Sequence, residues 1–254
     1  MIISFANQKG GVGKTTSAIN VASSLGIHGK KVLLCDMDPQ SNATSGVGLK
    51  KQEVEVSVYD ILIGRNSPEE AVVKTKYQNL WLMPSNIELA GAEIELIEED
   101  VVQRVSKLKN ALEKISSKYD YIVLDCPPTL GILTLNALNA SNYVIVTMQC
   151  EYFALEGLSQ LNNTLRQVKR IYNPNIELGG ILLTMFDGRL NLTVQVLEDI
   201  KKHFPGKIFK TPVPRTVRLS EAPSYGMPIN YYDKSSKATE SYLSIANEII
   251  NTLK

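Results

Sequence analysis

The sequence predicts an α/β fold, a mostly parallel central sheet flanked by helices on both faces, and three observations lead to it. Short, largely apolar runs recur along the 254 residues, at 2–6, 31–36, 79–84, 121–125, 143–147 and 181–184. Stretches with helical periodicity separate them. Several runs close on a polar residue (Asp36, Asp125, Thr184). A strand such as 121–125, apolar at successive positions, needs cover on both faces, which is the situation of a parallel sheet.

Each element follows in order. A strand at 2–6 leads into a glycine-rich loop and a helix opening at Thr16. The run 31–36 is the next strand. Residues 57–63 and 68–74 suggest short helices, 79–84 a strand, and 87–117 a largely helical stretch. After the central strand 121–125 come helix 131–140, strand 143–147, helix 154–171, strand 181–184 and helix 191–203. Ile208-Phe209 reads as a short strand, 212–228 as a proline-rich loop, and 235–253 as a closing helix. No repeat, low-complexity tract or second domain interrupts the order, so residues 1–254 are expected to form one domain.

Composition narrows the class. A hydrophobic fraction of 44% and a charged fraction of 21% belong to a globular protein. No apolar stretch is long enough to cross a bilayer, and no signal peptide precedes the first strand, so a cytoplasmic location is expected. Cys35, Cys126 and Cys150 lack metal-ligand spacing. The formal charge of +1 conceals two runs. Residues 88–100 carry six carboxylates and no base, whereas 201–218 carry Lys201, Lys202, Lys207, Lys210, Arg215 and Arg218 and no carboxylate. Either run reads as a solvated face, and the basic one also suits a polyanion.

Lys9-Gly10-Gly11-Val12-Gly13-Lys14-Thr15 carries the chemistry. A glycine loop between a strand and a helix turns successive N–H groups toward one anion, and the helix N-terminus adds partial positive charge. The loop through Thr16 is therefore the expected phosphate site of a P-loop NTPase fold. Lys14 spans the β- and γ-phosphates and the Thr15 hydroxyl ligates Mg2+. Lys9 is one lysine more than this arrangement needs.

Two acids complete a hydrolytic site. Asp125, anchored by Ile122-Val123-Leu124, is the expected Walker B acid, holding a water on the magnesium, and Asp36 closes a neighbouring strand and shares the role. Asp38 precedes Pro39, which biases it away from helical dihedrals and projects it from a turn. It either approaches the attacking water or makes an Asx-type hydrogen bond. Gly131 supplies flexibility or room near the γ-phosphate.

These segments resemble the ParA/Soj group of partition ATPases, a branch of the deviant Walker A family that includes MinD. The match is carried by NQKGGVGKTT (7–16), DMDPQSNAT (36–44), DCPPTLG (125–131), EYFALEGL (151–158), TMFDGR (184–189) and VPRTVRLSEAPSYGMP (213–228). The resemblance implies an ATP-dependent sandwich homodimer in which Lys9 reaches the partner's phosphates and Gly10 lies at the subunit contact. It implies that Asp38 orients the water and that Arg189, Arg215 and Arg218 bind double-stranded DNA without sequence preference on the nucleoid. A ParB-like centromere-binding protein is the implied partner. The adenine is expected between Thr184-Met185 and the loop of Pro212 and Pro214. No amino-terminal helix-turn-helix extension is expected.

Competing readings are a MinD-like membrane-cycling ATPase, a cargo-positioning ATPase and a metabolic enzyme such as an iron–sulfur reductase subunit. The first requires the stripe of Tyr242, Leu243, Ile245, Ala246, Ile249, Ile250 and Leu253 to be free for a membrane, with Lys254 the sole base after Lys237.

Overall fold

The computed structural model describes residues 1–152 and 154–253. Phe153, inside the 151–158 segment, and Lys254 lie outside the described residues. The strands are β1 (Ile2–Ala6), β2 (Val32–Asp36), β3 (Val73–Lys74), β4 (Leu80–Met83), β5 (Tyr121–Asp125), β6 (Tyr143–Met148) and β7 (Glu177–Leu183). They form one sheet in the order β3-β4-β2-β5-β1-β6-β7. Every neighbouring pair is parallel except β3 with β4.

The helices are α1 (Lys14–Ile27), α2 (Asn42–Gly46), α3 (Val58–Leu62), α4 (Leu89–Glu95), α5 (Val101–Arg104), α6 (Lys107–Ile115) and α7 (Ile132–Ala140). They continue with α8 (Ala154–Ile171), α9 (Asn191–His203), α10 (Val217–Glu221), α11 (Ile229–Tyr232) and α12 (Lys237–Thr252). Strand side chains alternate between two buried layers. Ile3, Phe5, Leu34 and Val123 pack with Ala18, Val21 and Leu25 of α1 and with Tyr242, Ile245 and Ile249 of α12. Leu33, Cys35, Ile122 and Leu124 pack on the other face with Leu112, Leu133, Ala137 and Leu161. Both faces are thus covered, as the apolar runs require.

The stripe of α12 is therefore a core face. Tyr242, Ile245, Ala246 and Ile249 are fully or almost fully buried, and withdrawing each large side chain from water is worth roughly 1.5–3 kcal/mol. Ser236 caps the helix by accepting the Thr239 N–H. No described helix is long and apolar enough to cross a membrane.

Several elements differ from the sequence reading. Residues 68–74 contain a turn and then β3, whose two exposed residues pair only with β4. Strand β7 begins at Glu177, ahead of the expected 181, and 208–209 contributes a single bridge to Ile181. Within 212–228, the Thr216 hydroxyl accepts the Arg218 N–H and starts α10. Helix α1 starts at Lys14, capped by Gly13 in the left-handed region at φ 80°.

Candidate active site

The phosphate loop leaves the carboxyl end of β1 and is held by side chains from neighbouring strands. Asn7 donates from Nδ2 to the Thr147 carbonyl at 2.7 Å and accepts the Lys9 N–H at 3.0 Å. Gln149 Nε2 donates to the Gly11 carbonyl at 2.9 Å, and Thr184 Oγ1 donates to the Val12 carbonyl at 2.8 Å. Gly11 and Gly13 have φ of 72° and 80°, which a Cβ would strain. These bonds turn carbonyls outward from the loop, leaving its amides for an anion.

Lys14 is buried and donates from Nζ to the Lys9 carbonyl at 2.9 Å. Burial pulls its pKa down, against the opposing attraction of Asp125. The ammonium is thus held against the backbone of the loop. Lys9 and Gly10 are exposed on the outside of the loop. Lys9 forms an ion pair with Glu151 of its own chain. A Cβ on Gly10 would meet nothing within 4 Å, so any restriction on this position must come from another molecule.

Asp36 and Asp125 stand opposite each other at the ends of β2 and β5, and both are fully buried. Asp36 Oδ1 accepts the Asp38 N–H at 3.1 Å, and Oδ2 accepts the Thr44 N–H at 2.7 Å and hydroxyl at 2.8 Å. Asp36, the expected metal-supporting acid, is bound through both oxygens to the turn that follows it. Desolvation raises its pKa to about 6, with the Thr44 hydrogen bonds opposing. Neither oxygen of Asp125 has a hydrogen-bond partner of ordinary geometry, although the nearby Thr15 hydroxyl pulls its pKa down. Desolvation first, and then the Asp36 charge, raise that pKa strongly.

An unbonded buried carboxylate beside a threonine and a phosphate loop fits a hydrated magnesium ion. Mg2+ is characteristically held by one or two carboxylate or hydroxyl groups, water and substrate phosphates.

Asp38 is nearly buried, and its Oδ1 accepts the Gln40 N–H at 2.9 Å. The Asx-type bond is thus present, and it aims the carboxylate. Ser85 Oγ donates to the Asp38 carbonyl at 2.8 Å, while Ser41 follows with φ 55°. A non-glycine residue in that region costs about 1 kcal/mol or more, and such strain concentrates at functional sites.

Beside the loop opens a cavity of about 450 Å³ that includes Gly13, Thr16, Met185, Pro214, Arg215 and Tyr242 in its lining. Met185, at φ 49°, exposes its thioether there. Pro212 lies outside the lining, whereas Val213 is within it. The other two arginines are bracketed. Arg189 donates from Nε and Nη2 to both oxygens of Asp187, at 2.8 and 2.7 Å, holding that acid down to about 2. Arg218 pairs with Glu221 at 3.1 Å and Asp233 at 3.5 Å. Cys35 and Cys126 are fully buried, where desolvation raises both thiols, so Cys126 lacks the exposed thiolate that a cluster shared across a subunit contact requires.

A glycine loop closing on a lysine and a magnesium-ready acid at the next strand end define a P-loop nucleotide-binding protein. A family model described as an AAA domain matches residues 1–178. The chain is 52% identical over 248 residues to the sporulation initiation inhibitor protein Soj of Bacillus subtilis, covering 98% of this chain and 97% of that one. It is 48% identical over 249 residues to the chromosome partitioning protein ParA of Myxococcus xanthus, covering 98% and 87%. A solved structure of cobyrinic acid a,c-diamide synthase from Mycobacterium smegmatis, with bound ATP analog and magnesium, matches with a TM-score of 0.87 at 36% identity. That match covers 98% of this chain and 93% of the other. The chain belongs to the ParA/Soj family of deviant Walker A partition ATPases. It is an ATPase on that ground, with ATP and Mg2+ as its cofactors.

Proposed function

We propose that residues 1–254 act as one ATPase domain that dimerises around ATP, binds DNA without sequence preference and drives chromosome or plasmid segregation with a centromere-binding partner. The observation that carries the hydrolytic part is Asp125, buried and unbonded in register with the strand that feeds the phosphate loop. In this reading the amides of 10–16 and Lys14 bind the phosphates, and Thr15 with the Asp125-held water accommodates Mg2+. When bound, that ion neutralises charge on the β- and γ-phosphates. Asp38, aimed by Gln40 and by Asp36, orients the water. Asp36 serves by fixing the turn.

The Lys9 side chain is exposed and its ammonium pairs with Glu151, a surface pair it is free to exchange for the phosphates of a second copy. A surface pair of this kind is worth at most about 1 kcal/mol, which a polyphosphate easily outweighs. Arg189, Arg215 and Arg218 supply the phosphate contacts to DNA, the first and third after leaving their brackets or while sharing them. Cytoplasmic location on the nucleoid follows from DNA binding, and the burial of the α12 stripe favours this over a membrane cycle.

The test is binding to unrelated duplexes at several salt concentrations with ATP, ADP or no nucleotide. Tight, salt-sensitive and sequence-indifferent binding in ATP alone is the expected result. Equal affinity in all three states removes the link between the ATP site and DNA.

A further inference from the structure

Gly131 caps α7 at the end of the loop that begins at Asp125, yet its backbone does not need glycine. Its φ and ψ are −74° and −170°, an extended conformation open to any residue. What restricts it is Glu93. A Cβ on Gly131 would lie 3.3 Å from Glu93 Cδ and overlap Glu93 Oε1. The room expected beside Gly131 is therefore occupied by a carboxylate from α4, thirty-eight positions earlier, and the arrival of α4 there is fixed by the buried Leu89 and Ala92.

Glu93 Oε1 is buried and accepts no hydrogen bond. A buried acceptor left unbonded is costly, so its place against Gly131 calls for an explanation. Here the oxygen rests on Gly131, the cap of the nine-residue α7, at the helix end whose partial positive charge favours an anion. The loop from Cys126 to Gly131 hangs between two fixed points, Asp125 at the end of β5 and this contact. Thr134 Oγ1 closes it internally by donating to the Thr129 carbonyl at 2.6 Å.

We propose that Glu93 is a positioning residue for hydrolysis, fixing the Cys126–Gly131 loop against α4 so that Asp125 and the start of α7 hold their places beside the phosphate loop. The inference rests on the ATPase reading and adds to it a residue from an acidic run that reads otherwise as a solvated face. Glu93 touches neither nucleotide nor water in this account and acts through Gly131. Because Glu93 is the movable partner, a methyl on Gly131 displaces its carboxylate, and Gly131→Ala reproduces the loss of Glu93.

A double-mutant cycle tests this. Glu93→Ala and Gly131→Ala each lower kcat roughly tenfold with little change in ATP affinity, and the double variant is no worse than either, as for two residues sharing one contact. Glu93→Gln keeps the shape without the charge and gives a smaller loss. In hydrogen exchange, amides of residues 126–134 exchange faster in Glu93→Ala and Glu93→Gln, which reads the contact without relying on turnover. Multiplicative losses in the cycle, wild-type kcat in Glu93→Ala, or unchanged exchange in that segment overturns the proposal. Absence of ATP turnover in the wild-type chain would instead defeat the ATPase reading, while the exchange measurement still decides the role of Glu93.

Discussion

Asp36 and Asp125 face each other in register at the ends of β2 and β5, and Asp36 accepts three hydrogen bonds while neither oxygen of Asp125 has a partner of ordinary geometry among the described residues. The same residue type in the same burial thus does two jobs. Asp36→Asn puts an amide against N–H and O–H donors and should cost about 1–3 kcal/mol of stability. Asp125→Asn replaces a carboxyl that burial makes costly to ionise with a neutral group of the same shape, and should leave thermal stability unchanged or higher. It should lower magnesium-dependent turnover on the order of a hundredfold, the scale for losing one charge-stabilising group. Calorimetry and a magnesium titration check both; ordinary magnesium dependence in Asp125→Asn counts against its role.

The same pair sets a pH dependence. Burial raises both acids, Asp36 to about 6, so the folded chain holds protons that the unfolded chain has released. Stability of the nucleotide-free protein should therefore fall as pH rises from about 4 through about 6. Asp125→Asn should flatten part of that slope in denaturant titrations at a series of pH values. An identical slope in the variant would mean that Asp125 does not titrate in this range.

Asp38→Ala loses the bond to Gln40 and the carboxylate aimed by it. ATP affinity should persist while hydrolysis nearly stops, leaving a long-lived dimer on DNA. Wild-type turnover in single-cycle kinetics would remove Asp38 from the water.

Gly10→Val should fold normally, because a side chain there meets nothing within 4 Å in the single chain. It should bind ATP yet stay monomeric in sedimentation. ATP-dependent dimers of this variant would place Gly10 away from the contact.

The arginines should separate by location. Arg215→Glu, in the lining of the cavity beside the loop, should weaken both nucleotide and DNA, whereas Arg189→Glu should weaken DNA alone. Each reversal removes two copies from a dimer and should reduce the salt slope of DNA binding by about 2. An unchanged slope shows that the position makes no phosphate contact.

The strands were legible because burial on both faces leaves no polar alternation, as at Ile122-Val123-Leu124. The glycine loop was legible because its chemistry is local. Strand β3 was not, since Val73 and Lys74 are exposed and pair only at the sheet edge. Helix α10 was hidden by flanking prolines, although Thr216 offered a cap. The residues that hold the site in shape were the least visible. Thr44 reaches Asp36 across eight positions, Asn7 reaches Thr147 across 140, and Glu93 reaches Gly131 only because α4 packs where it does. No spacing announces such contacts; the fold creates them.

The central claim is a hydrolytic site completed by a second copy, and mixing two inactive variants tests it directly. In the crossed geometry each site joins Asp38 of one subunit to Lys9 of the other. A Lys9→Ala subunit paired with an Asp38→Ala subunit then contains one intact site. Equal mixing with free exchange should restore about a quarter of wild-type turnover, since half the dimers are mixed and each has one working site of two. If Lys9 serves its own subunit, every site carries a defect, and the mixture stays as inactive as its parts.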